Sequence, residues 1–124
     1  MYPGRIIGFV PARDLKKAKT FYHDVLALPF LSEDEFALVF DAHGIKLRVT
    51  KIDHFTPQPF TILGWEVQDI RKAASELEAK GVRFERYGMN GQDERGIWTA
   101  PGGSLVAWLK DPDGNVLSLT QFPT

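Results

Sequence analysis

The chain repeats itself, and that duplication limits its fold more than any other feature. Gly8-Phe9 leads through a short apolar run to Asp14-Leu15-Lys16-Lys17-Ala18, and Gly64-Trp65 leads to Asp69-Ile70-Arg71-Lys72-Ala73 in the same order. A repeat marks one supersecondary unit used twice, so every later assignment must respect it. In each copy an extended segment passes into a helix. Asp14 and Asp69 stand where an N-cap carboxylate takes up free backbone N–H groups. Behind them Leu15, Ala18, Phe21, Tyr22, Val25 and Leu26, and then Ile70, Ala73, Ala74 and Leu77, recur at helical spacing on one face. Gly81 lies just past the second helix, where a positive φ is favoured.

Extended segments follow each helix: Phe36 to Phe40 and Ile45 to Ile52 in the first copy, then Val82 to Arg86, Ile97 to Ala100, Leu105 to Lys110 and Val116 to Gln121 in the second. Asp41-Ala42-His43-Gly44 and Asp111-Pro112-Asp113-Gly114 are tight connections at matching places, each with an Asp opener and a Gly that tolerates left-handed geometry. Pro57 and Pro59 make the stretch between the copies an extended connector. Ile45, Leu47 and Val49 alternate with Lys46, Arg48 and Thr50, and Leu117 and Leu119 alternate with Ser118 and Thr120. One face of each sheet therefore covers its helix and the other is free. The expected fold is α+β: two tandem βαβββ modules, residues 5–52 and 60–122, forming curved mixed sheets around a central chamber.

At 124 residues the chain has room for a single domain spanning 1–124. With 44% hydrophobic and 25% charged residues it is too apolar for disorder and too often interrupted by charge to cross a bilayer. A net charge of -1 argues against nucleic acid, whose phosphates call for a basic surface. The absence of cysteine excludes disulfides, thiolate metal sites and a thiol nucleophile. Ile6-Ile7-Gly8-Phe9-Val10 is too short for a signal-peptide core, and the expected location is cytoplasmic.

Asp14-Leu15 through Ala18 to Phe21-Tyr22, Val25-Leu26-Ala27-Leu28, the second copy from Gly64-Trp65-Glu66-Val67 to Asp69-Ile70, Lys80-Gly81-Val82 and Lys110-Asp111-Pro112-Asp113-Gly114-Asn115-Val116 together resemble the vicinal-oxygen-chelate superfamily. That superfamily includes glyoxalase I, epimerases, extradiol dioxygenases and bleomycin- and fosfomycin-resistance proteins. The resemblance covers nearly the whole chain and implies a homodimer with a small-molecule partner. Its enzymes hold a divalent ion with one ligand early in the first strand and one on the last strand of each module. In this sequence those positions fall on Ile7, Arg48, Ile62 and Ser118. Two hydrocarbons, a neutral hydroxyl and a permanent cation make a poor ligand set. At about 4 Å and an effective dielectric of about 20, a divalent ion beside Arg48 is opposed by roughly 8 kcal/mol. A register slip of one substitutes Gly8, Leu47, Leu63 and Leu117, which are no better. No metal and no cofactor is expected.

Ile7, Phe9, Ile62 and Glu66 share a parity that aims them into the chamber, where the apolar ones either line a ligand pocket or fill a solid core. Arg48 either grips a carboxylate or phosphate with its planar fork or pairs internally with Glu66, with Thr50, Ser118 and Thr120 on the same side. Trp98 and Trp108 are either stacking surfaces for a planar ligand or core. Residues 87–96 are a lid or a plain connection. His23, His43 and His54 lack a spacing that joins any two in a site. The expected function is binding of a small, anionic or neutral, partly aromatic organic molecule. The alternative is a metal-dependent lyase or isomerase of the glyoxalase I type, or acid–base chemistry by Glu66. A third possibility, an interaction module without a ligand, predicts a filled interior.

Overall fold

The carboxylate of Asp14 accepts from the N–H groups of Lys16 at 2.9 Å and Lys17 at 3.3 Å and so opens α1, Leu15–Lys19. The helix then widens into a π-helical turn, Thr20–Val25, where the Leu26 N–H reaches back to the Phe21 carbonyl at 2.9 Å. Adjacent Phe21 and Tyr22 meet edge to face with centroids 5.2 Å apart, and Tyr22 is fully buried. The chain reverses at Ala27, whose φ of +60° is left-handed, and the His23 Nδ1–H donates to the Leu28 carbonyl at 2.9 Å. Since a carbonyl only accepts, this bond fixes the imidazole tautomer and gives His23 a structural task.

The computed structural model describes residues 2–124 and resolves them into two compact units, Met1–Thr56 and Pro57–Thr124. In the first, β1 (Ile7–Ala12), β2 (Phe30–Glu33), β3 (Ala37–Ala42) and β4 (Ile45–Lys51) form a mixed sheet in the order β1-β4-β3-β2, with β1 parallel to β4 and the other pairs antiparallel. The helix side of that sheet is Val10, Ala12, Leu38, Phe40, Leu47 and Val49, all essentially inaccessible. Phe40 sits between Tyr22 and Phe30, with centroids 6.0 and 5.8 Å away.

The second unit repeats the plan with β5 (Thr61–Glu66), α2 (Ile70–Ala79), β6 (Trp98–Thr99), β7 (Leu105–Lys110) and β8 (Val116–Gln121). Its sheet order is β5-β8-β7-β6, again with one parallel pair, β5 with β8. Two residues start α2: Asp69 accepts from Lys72 N–H at 3.1 Å, and Gln121 at the end of β8 accepts from Ile70 N–H at 2.8 Å, tying helix to sheet. The turn before β8 closes on Asp111, which accepts from the Asp113 and Asn115 N–H groups at 2.9 Å each and from the Asn115 amide at 2.8 Å.

Three expectations need correction. Phe30–Glu33 is a strand, unanticipated because it follows Pro29 and its two apolar residues are adjacent and do not alternate with the polar pair. Val82–Arg86 is not a strand: the Glu85 N–H donates to the Trp108 carbonyl at 2.8 Å, and no ladder runs between this stretch and β7. The match of Gly8-Phe9 to Gly64-Trp65 also slips by one residue, because Gly8 stands six residues before Asp14 and Gly64 only five before Asp69. In space Phe9 pairs with Arg48 as Gly64 pairs with Ser118, so Phe9 and Gly64 are counterparts.

Two variants test this account. Phe40→Ala removes the ring on which both neighbours lean and should cost about 3–5 kcal/mol by denaturant titration. Ala27→Gly relieves a left-handed Cβ and should raise stability by up to roughly 1 kcal/mol, whereas the unit-two counterpart already has Gly81 at φ +94°.

Candidate functional site

Strand parity divides each sheet into a side that covers its helix and a side turned away from it. In the first unit the helix-distal side presents Ile7 and Phe9 from β1 and Arg48 and Thr50 from β4. Ile7 is 46% and Phe9 64% exposed. In the single chain they are exposed and not packed among its buried residues. Arg48 stands on an inner strand, flanked across the ladder by Phe9 on β1 and Val39 on β3. It is half-buried, and among the described residues its guanidinium has no hydrogen-bond or ion-pair partner. Two residues along, the Thr50 hydroxyl is buried without a hydrogen-bond partner, and its ladder neighbours Pro11 and Ala37 have no side-chain group to offer it.

In the second unit the helix-distal side holds Gly64 and Glu66 from β5, Ser118 and Thr120 from β8, and Val106 and Trp108 from β7. Trp98 of β6 pairs with Val106 and therefore joins the same side. Ile62, also on β5, is partly exposed at 37%. Trp98 and Trp108 lie 6.0 Å apart at 35°, and Tyr87 meets Trp108 edge-on at 5.5 Å. Both indole N–H groups are already used: Trp98 donates to the Asn90 carbonyl at 3.0 Å and Trp108 to the Thr61 hydroxyl at 3.1 Å. What the cluster can offer a ligand is ring surface. Beside it Gly64 and Ser118 pack closely, since a Cβ on Gly64 would stand 2.6 Å from Ser118 Oγ. Glu66 is exposed and among the described residues has no side-chain partner to orient it.

Residues 87–96 are neither a structureless link nor an untethered flap. The Gln92 amide is fully engaged: Oε1 accepts from Tyr87 N–H at 2.8 Å, while Nε2 donates to the Glu85 carbonyl at 3.0 Å and the Gly96 carbonyl at 2.9 Å. Asp93 takes the N–H groups of Arg95 and Ile97 at 3.0 and 2.9 Å. This frame holds Tyr87 and Trp98 on either flank of Trp108. Neither Gln92 nor Tyr87 was marked by the sequence, where one lies among polar residues and the other opens a glycine-rich stretch. Burial, and secondarily the negative charge of Glu85, push the Tyr87 phenol above its ordinary value of 10.0.

The four positions that the resemblance gives to metal ligands do not fit a divalent ion. Ile7 and Ile62 carry no donor, Arg48 brings positive charge, and Ser118 is a neutral hydroxyl pressed against Gly64. Among the described residues no three His, Asp or Glu side chains come together as a metal centre would require. Nor does any described helix have the length and apolarity to cross a membrane.

Residues 6–119 match the family model of the Glyoxalase/Bleomycin resistance protein/Dioxygenase superfamily. Among solved structures, a putative glyoxalase family protein from Bacillus anthracis superposes with a TM-score of 0.77 at 16% identity, covering 99% of this chain and 98% of its own. The lactoylglutathione lyase of Agrobacterium tumefaciens gives 0.76 at 18% identity, covering 98% and 95%. The fosfomycin resistance protein FosX of Listeria monocytogenes gives 0.74 at 14%, covering 99% and 96%. At these identities the likeness is one of fold. No curated protein matches.

Gly64→Ala should cost about 1–3 kcal/mol by chemical denaturation, because the new methyl must displace Ser118. The raised Tyr87 value has a definite sign for stability. The folded protein keeps a proton that the unfolded chain gives up near pH 10, so this contribution is intact below that pH and declines as pH rises through the folded value. Denaturation midpoints at about pH 9 and about pH 11 should fall further in the wild type than in Tyr87→Phe.

Proposed function

The chain belongs to the Glyoxalase/Bleomycin resistance protein/Dioxygenase superfamily, and from that premise we propose that it binds a small, anionic or neutral, partly aromatic organic molecule without a metal and without making or breaking bonds. The observation that carries this is the half-buried, unpartnered Arg48 guanidinium among the described residues, at a position the family's enzymes use for a metal ligand. A fixed cation there repels a divalent ion and attracts an organic anion. Within the second unit, the ring surface of Tyr87, Trp98 and Trp108, its indole donors engaged elsewhere, independently supports contact with an aromatic molecule. Among the described residues of its own unit no side chain orients Glu66 as a general base, which favours binding over acid–base chemistry.

Self-association as a homodimer belongs to the same proposal, and exposed apolar side chains away from the ligand surface, Ile6, Phe36 and Phe60 among them, support it. Light scattering across micromolar concentrations should give twice the 14.0 kDa chain mass. For the function itself, elemental analysis of the purified protein should find less than stoichiometric metal. Added zinc, nickel, iron or manganese should leave its melting temperature unchanged, while a panel of aromatic acids and neutral aromatics should raise it. Tightly held stoichiometric metal, or lyase turnover that depends on one, overturns the proposal.

A further inference from the structure

We infer that Arg48, assisted by Thr50, forms a binding site for the carboxylate of a small monocarboxylic acid whose carbon skeleton lies on Phe9 and Ile7. This deepens the proposed binding function and rests on it. A half-buried charge is ordinarily paired, and on this side of the sheet the pairing group is missing. The nearest candidate by register is Asp41, which lies across the ladder from Lys46 and already accepts from the Gly44 N–H at 2.8 Å. Arg48 has Val39 and Phe9 as its ladder neighbours and, among the described residues, no anion. Within its own unit nothing pairs with this guanidinium, so an organic anion can take that place.

The chemistry of the surroundings narrows that partner. Guanidinium presents two parallel N–H groups in a plane, the arrangement a carboxylate's two oxygens accept. Thr50 follows on the same side of the same strand, about 7 Å along. Its oxygen is buried with no partner, and one staggered step about χ1 re-aims the hydroxyl, so it supplies a third donor to an acid seated on Arg48. A phosphate monoester brings a second charge, and the further cation on this side, Lys46, is exposed and stands opposite Asp41. A neutral amide gives the fork one oxygen where it can hold two. Phe9 and Ile7 beside the guanidinium offer hydrocarbon, which suits an aryl or alkyl acid over an inorganic anion.

The test titrates the full-length, 15N-labelled protein with benzoate, hexanoate, benzamide and phenyl phosphate, following amide shifts. Benzoate and hexanoate should move the amides of Phe9, Arg48 and Thr50, and benzamide and phenyl phosphate should bind roughly tenfold or more weakly. Arg48→Met should weaken benzoate by roughly 10- to 100-fold and Thr50→Val by roughly fivefold. Thr50→Val should also melt a few degrees higher without ligand, because it removes a buried hydroxyl that has no partner; this readout needs no binding measurement. Equal affinity for benzamide and benzoate, unchanged benzoate binding in Arg48→Met, or no binding of either acid overturns the carboxylate assignment. Binding of neutral aromatics at equal strength leaves the broader binding function standing. Stoichiometric metal removes that function whatever benzoate does.

Discussion

Everything distinctive about this chain follows from a mixed four-stranded sheet that is covered by a helix on one side only. Each helix fixes the orientation of the strands it covers, because a slip of one residue would turn Leu47 and Val49 outward and bury Arg48. Apolar burial on one side thereby aims the polar series on the other. The carboxylate caps Asp14 and Asp69 and the Gln121 tie to Ile70 set where each helix starts, and so hold it over its own sheet. Arg48 is placed by Leu47 and Val49 more than by any contact of its own.

Much of this could be read from the sequence. Duplicated caps, helical stripes and strict alternation in β4 and β8 are strong local signals, and they placed Ile7, Phe9, Arg48, Ser118 and Thr120 on the helix-distal side correctly. The misses have physical reasons. Phe30–Glu33 alternates too weakly to declare itself a strand, and what makes it one is pairing with β3. Val82–Arg86 has strand composition but loses its ladder to β6, while a glutamine side chain supplies bonds that a neighbouring backbone would otherwise make. The π-helical turn is invisible because Phe21, Tyr22, Val25 and Leu26 fit an ordinary helical face equally well. The faces of Trp98 and Trp108 depended on a register interrupted by Gly96 and Pro101-Gly102-Gly103, and only the pairing with Val106 and Ser118 resolved it.

The aromatic cluster of the second unit shows how rigidity is built into a segment that composition marks as loose. Gly96 is admitted because a Cβ would stand 2.8 Å from the Glu85 carbonyl, and that closeness brings Glu85 and Gly96 within reach of one amide. Gln92 then joins Glu85, Tyr87 and Gly96. A glycine-rich segment cross-linked in this way gives Tyr87 and Trp98 fixed positions with little apolar burial of their own.

The two copies differ most where they owe nothing to the helix. At corresponding ladder positions the first unit pairs Phe9 with Arg48 and the second pairs Gly64 with Ser118. One combination is bulky and cationic; the other is nearly empty. Stability alone does not select this contrast, since a hydrocarbon at Arg48 would spare the desolvation of a charge and a larger residue at Gly64 would need only a smaller partner across the ladder. On the helix side the same comparison gives Gly8 with Leu47 against Leu63 with Leu117, a difference of packing within one chemistry. The repeat thus keeps its interior and diverges on its helix-distal faces, giving one unit an unpaired cation and the other an aromatic surface beside a closely packed Gly64 and Ser118.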